Sequence, residues 1–214
     1  MTALLRYRLV TLSRSQRWVA PAVLFIVGVG IATWNDNGPL LPLYAICAGV
    51  LLVAATWLGM AILNLDDSAQ RAIIVVSVGR RRALASQVAA AMLGCGVLTA
   101  IGLALPLAVG HHTITPAVLL LGAAAQLGCA CTGIGIAMLC CNWMLPRPGY
   151  AVLTAMMLVM LAVLIPHASP VNPLLRAMSS ENPSTLIILA LDVAAVAILL
   201  GCGALAHQVA GRRN

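Results

Sequence analysis

Mostly apolar runs of about 18 or more residues recur along this chain from end to end, and they restrict its fold more than any motif does. Within hydrocarbon every backbone N–H and C=O must be satisfied internally. A chain with several such runs is therefore expected to be an all-α polytopic membrane protein rather than a globular domain on an anchor. Composition agrees: 62% of the 214 residues are apolar and 8% charged. The mean hydropathy of +1.04 lies outside the range of soluble domains. The first run follows several arginines, lacks a small-residue cleavage site and is succeeded by further runs, so no removable signal peptide is expected.

The expected order begins with an amphipathic interfacial helix over 1–18, which places Leu4, Leu5, Leu9 and Leu12 at helical spacing among Arg6, Arg8, Arg14 and Arg17. Six transmembrane helices then follow: 19–34, 40–63, one from about Arg80–Arg82 to 109, 116–141, 150–165 and 185–206. The fifth is short for a bilayer of about 30 Å. The stretch 166–184 is rich in Pro, Ser and Asn yet keeps Val171, Leu174, Leu175 and Met178, so short re-entrant or interfacial helices are expected there. Eleven of the twelve arginines fall on one side of this layout and only Arg176 on the other, which puts both termini in the cytoplasm. The net charge of +7 follows from that asymmetry and does not indicate a nucleic-acid partner.

Between the second and third apolar runs lies N-L-D-D-S-A-Q-R-A-I-I-V-V-S-V-G-R-R-R, the most water-adapted piece of the chain. Asp66, Asp67 and Ser68 can cap a helix N-terminus, and Gly79 can supply the left-handed residue that ends one. A helix over 68–78 is predicted, on the order of 16 Å long. Ala69, Ala72, Ile73 and Val76 form one stripe, expected to pack inward. Gln70, Arg71, Ile74 and Val78 are then left toward a partner, with Arg71 and Ile74 at the centre of that contact.

Few other residues suggest chemistry. Asp192 is the one carboxylate inside an apolar run, about 10 Å below the outer edge of its span. It is read as a helix-pairing group, with His111, His112, His167 or Arg176 as candidate partners, ahead of a substrate contact or protonatable switch. On that reading Asp192→Leu lowers the amount of folded protein. Gln126 and Thr132 could line a pathway, but they sit among Gly122, Gly128, Gly133 and Gly135, and close helix packing is the preferred reading. His111 and His112 are read as a solvated turn, since no third metal ligand lies near. The seven cysteines are read as small buried hydrophobes. Paired catalytic carboxylates, H-E-x-x-H and G-x-S-x-G are all missing, which argues against an enzyme.

The arginine-rich N-terminal helix (L-L-R-Y-R-L), six spans, the D-D-S-A-Q-R helix and the broken helices after a short fifth span together resemble the compact type-two membrane permeases of bacterial ABC exporters. The resemblance spans essentially the whole chain, read as a single permease domain of 1–214. It implies a cell-membrane location and makes the helix around Asp66 to Val78 a coupling helix that docks on a separate ATPase subunit. That subunit would bind ATP and Mg; this chain has neither a phosphate loop nor any lysine, and no cofactor of its own is expected. A second permease copy, or a homologous permease, completes the pathway, with membrane lipid around it. The scarcity of charge in the spans leans toward a hydrophobic or amphipathic cargo. The alternative is a non-transporting six-span scaffold, such as an immunity or assembly factor.

Overall fold

The computed structural model describes residues 2–34, 38–66, 68–109, 115–141, 148–166, 169–180 and 184–212. These residues form nine helices and no strand: α1 (Thr2–Ser15), α2 (Val19–Thr33), α3 (Leu40–Leu63), α4 (Ser68–Val78), α5 (Arg80–Val109), α6 (Pro116–Leu139), α7 (Pro148–Leu164), α8 (Val171–Met178) and α9 (Thr185–Arg212). Each apolar run has become a helix with ends within a few residues of those expected. Four of them, α3, α5, α6 and α9, are long and apolar enough to cross a membrane. A fifth candidate is α1 joined to α2, bent by 76° between them. The six expected spans are therefore not all matched by length: α2 has 15 residues and α7 has 17. At 1.5 Å per residue these reach about 22 and 25 Å, short of a hydrocarbon core of about 30 Å.

α3 and α6 form the closest pair, and α9 packs mainly on α6. Their approach depends on glycine. A Cβ on Gly133 would lie 2.8 Å from the Leu52 carbonyl oxygen, and one on Gly59 would lie 2.7 Å from the Ala137 Cβ. Small residues of this kind bring helix backbones into van der Waals contact in lipid, where the hydrophobic effect does not drive helices together. α2 packs on α3 and α5, while α1 and α4 both rest on α5.

Two apolar clusters result. One joins Leu12, Phe25, Leu51, Leu58, Ile134 and Cys202 from α1, α2, α3, α6 and α9. The other lies around the start of α3, where Leu41 and Tyr44 meet Val171, Leu174 and Met178 of α8. Helix α8 thus turns back against α3, α7 and α9, which accounts for the apolar residues in that Pro- and Ser-rich stretch. The start of α8 and the residues just before it also finish α7: Ser169 Oγ donates to the Ala162 carbonyl at 2.9 Å, and Asn172 Nδ2 donates to the Val163 carbonyl. Both acceptors belong to the last turn of α7, whose carbonyls have no helical partner of their own. The outer faces of α7 and α9 remain apolar and exposed, with Met156, Met160, Leu186 and Val193 among them. All seven cysteines are buried and none is disulfide-bonded.

Candidate functional site

The most unusual chemistry lies where α1, α5 and the corner between α3 and α4 meet. In α1 the inward residues are Leu5, Arg8 and Leu12, an i, i+3, i+7 line that carries a guanidinium into the interior. Arg8 is only 1% exposed and forms an ion pair with Asp66, itself 5% exposed. Gln87 of α5 donates from Nε2 to the same Asp66 oxygen at 3.5 Å. Asp66 Oδ1, Gln87 Oε1 and Arg8 Nε are buried without hydrogen-bond partners among the described residues. So much buried polarity is tolerable only while the central charges stay paired.

Two further arginines secure the same corner. Arg17 donates from Nη1 to the Asn64 carbonyl at 3.2 Å, and Arg71 donates from Nη2 to the carbonyls of Leu63 and Asp66, both at 3.4 Å. These carbonyls sit at and just beyond the C-terminus of α3, where acceptors are in surplus and positive charge is favourable.

This geometry corrects the expected roles of two residues. Asp66 directs its carboxylate to Arg8 and Gln87 instead of capping α4, and Asp67 lies outside the described residues. Arg71 turns back to its own chain, and Ile74 and Val78 are half-buried beside it. The stripe expected to face inward faces outward: Ala69 and Ala72 are exposed, Ile73 is 69% exposed and Val76 88%. The cause is the demand of the α3 C-terminus for a donor, which rolls α4 about its axis until Arg71 supplies one. Gln70 is exposed on the flank. The helix limits are as expected, and Gly79 ends α4 with φ +82° while its N–H bonds to the Val75 carbonyl at 3.0 Å.

The three polar positions in the spans do not converge. Thr132 Oγ1 donates to carbonyls of its own helix, Gly128 at 3.2 Å and Cys129 at 2.9 Å. Gln126 is fully buried and faces Gly102 and Phe25. Asp192 lies on another side of α6, where its carboxylate occupies the space that a Cβ on Gly128 would need. Neither oxygen of Asp192 has a hydrogen-bond partner among the described residues, and Arg176 does not reach it. The expected pairing with Arg176 is thus not made, and the alternatives His111, His112 and His167 lie outside the described residues. Asp192→Asn is expected to unfold in detergent at the same or a higher temperature than the parent, since the change removes a carboxylate whose buried oxygens no described residue meets. A marked fall in unfolding temperature would overturn this.

Arg8 and Gln87 are the members of this buried polar cluster that the sequence did not single out. The available signal was Arg8 falling on the same helical line as Leu5 and Leu12. The architecture defines a class, the multi-pass helical membrane proteins, with four to five candidate spans among the described residues. Comparison with known proteins produced no match among family models, curated proteins or solved structures.

Proposed function

We propose that this chain is the membrane-spanning permease subunit of an ATP-driven ABC exporter, with α4 as the coupling helix that meets a separate ATPase. The observation that supports this reading is the outward face of α4. An 11-residue helix stands between two long apolar helices and presents Ala69, Ala72, Ile73 and Val76 to its surroundings. Arg71 and the Arg8–Asp66–Gln87 node fix its base to α1 and α5. A helix that must pass force between an ATPase and a membrane bundle needs this rigid seat and an open apolar face. A non-transporting scaffold needs neither.

In this reading there are six spans with both termini in the cytoplasm, and α2 and α7 are short spans accommodated by local bilayer thinning. Arginine asymmetry sets the orientation. Two permease copies, or one with a homologous permease, enclose the pathway in the bacterial cell membrane. ATP and Mg are bound and hydrolysed on the ATPase chain. The cargo is hydrophobic or amphipathic.

The test is Ile73→Asp combined with Val76→Asp, produced together with the ATPase of the neighbouring gene. Truncating an apolar interface anchor commonly costs about 2 kcal/mol or more, over tenfold in affinity. The expected result is a normal amount of permease in the membrane with the ATPase lost on co-purification. Full retention of a fully active ATPase would refute the coupling role of this face.

A further inference from the structure

The helices α5 and α9 lie against a common neighbour, α6, but barely touch each other. Between them a groove of about 670 Å³ opens at the end of the bundle where α5 begins and α9 finishes. Its walls are Leu84 and Val88 on one side and Leu200 on the other, over a floor made by Met138 of α6. Arg81, near the start of α5, and Gln208, near the end of α9, are the polar residues of its lining. From Arg81 to Ala89 the groove follows α5 for about 12 Å, a depth that lies within one leaflet.

The charge in its lining indicates what fills it. Arg81 is exposed and stands in a run of three arginines, Arg80 to Arg82. The one salt bridge among the described residues is Arg8–Asp66, so Arg81 has no carboxylate from those residues. A slot with apolar walls, headed by an exposed cation near the start of an apolar helix long enough to cross a membrane, suits an acyl chain attached to an anionic headgroup. We propose that this groove binds an anionic phospholipid, with its phosphate on Arg81 and Gln208 and one acyl chain between α5 and α9. The arginine gives a fixed donor fork for phosphate oxygens. The parted helices let the chain replace contacts that α5 and α9 do not make with each other. The inference needs the bundle to lie in a bilayer but does not depend on an ATPase, on transport or on which leaflet is involved.

The experiment purifies the parent and four variants without any ATPase, washes them in mild detergent and quantifies retained phosphatidylglycerol and cardiolipin per chain by mass spectrometry. Arg81→Gln removes the headgroup contact. Gly203→Leu is the first filler of the slot, and a Cβ there would lie 3.8 Å from Met138 Cε, an ordinary contact. Ala204→Phe is a second filler from an exposed position lining the groove. Arg14→Gln removes an exposed arginine elsewhere and reports general surface charge. The expected result is at least about fivefold less anionic lipid for Arg81→Gln, with a similar loss for both fillers and a clearly smaller one for Arg14→Gln. Equal losses for Arg14→Gln and Arg81→Gln would mean diffuse attraction, and unchanged lipid in both fillers would mean an unused groove. Fillers that alter oligomeric size while lipid stays constant would mean that a second copy covers it. Each of these three outcomes rejects the proposal, and none bears on the coupling role of α4.

Discussion

Arg8→Ala is expected to destabilise the folded chain by about 3 to 5 kcal/mol, the usual cost of leaving one member of a buried ion pair alone. That is a large part of the 5 to 15 kcal/mol that typically holds a folded domain together. The buried Asp66 carboxylate would lose its guanidinium partner and keep the Gln87 amide as its side-chain donor among the described residues. Asp66→Ala should do comparable damage by stranding Arg8. The pair contributes specificity of position more than net stability, so Arg8→Met with Asp66→Leu together should recover most or all of what either single change loses. Thermal unfolding in detergent and the monodisperse fraction on gel filtration are the readouts. Additive losses in the double variant would show that the two residues do not act on each other. The apolar double variant also separates folding from coupling, since it should fold while holding the base of α4 less firmly.

Gly133→Leu should be the most damaging substitution between helices. Even the first carbon of a side chain there meets the Leu52 carbonyl oxygen at 2.8 Å, the Ala55 Cβ at 3.0 Å and the Thr56 nitrogen at 3.1 Å. Two of these atoms are backbone and cannot swing aside, so α3 and α6 must separate. Gly133→Ala should cost about 1 to 3 kcal/mol as an overpacked contact, and leucine considerably more. Gly96→Ala is the internal comparison: nothing lies within 4 Å of its added Cβ. Alanine should leave that site equal in stability or slightly better, because glycine inside a helix is the poorer choice. If both glycines tolerate alanine equally in a thermal unfolding series, the packing of α3 on α6 is not as close as described.

The helices themselves were legible in the sequence. Length and apolarity of each run determine an α-helix in a medium without water, and the limits of α4 follow from Gly79, whose positive φ few other residues accept. The return of α8 to the bundle could likewise be inferred from apolar residues in a stretch otherwise rich in Pro and Ser. What periodicity cannot supply is the roll of a helix about its own axis. The Ala69, Ala72, Ile73, Val76 stripe was correctly identified as one face, but its outward direction was decided by Arg71 reaching the Leu63 and Asp66 carbonyls. Arg8 looked like a headgroup arginine equal to its neighbours until Asp66, 58 residues away, drew it inside. Asp192 shows the same limit in reverse, since the sequence shows a buried carboxylate and only the packing on Gly128 shows that no described residue meets it. Local pattern fixes which residues share a face because that depends on 3.6 residues per turn alone. Which neighbour the face meets depends on polar groups far apart in sequence satisfying one another, and that is settled only when the helices pack.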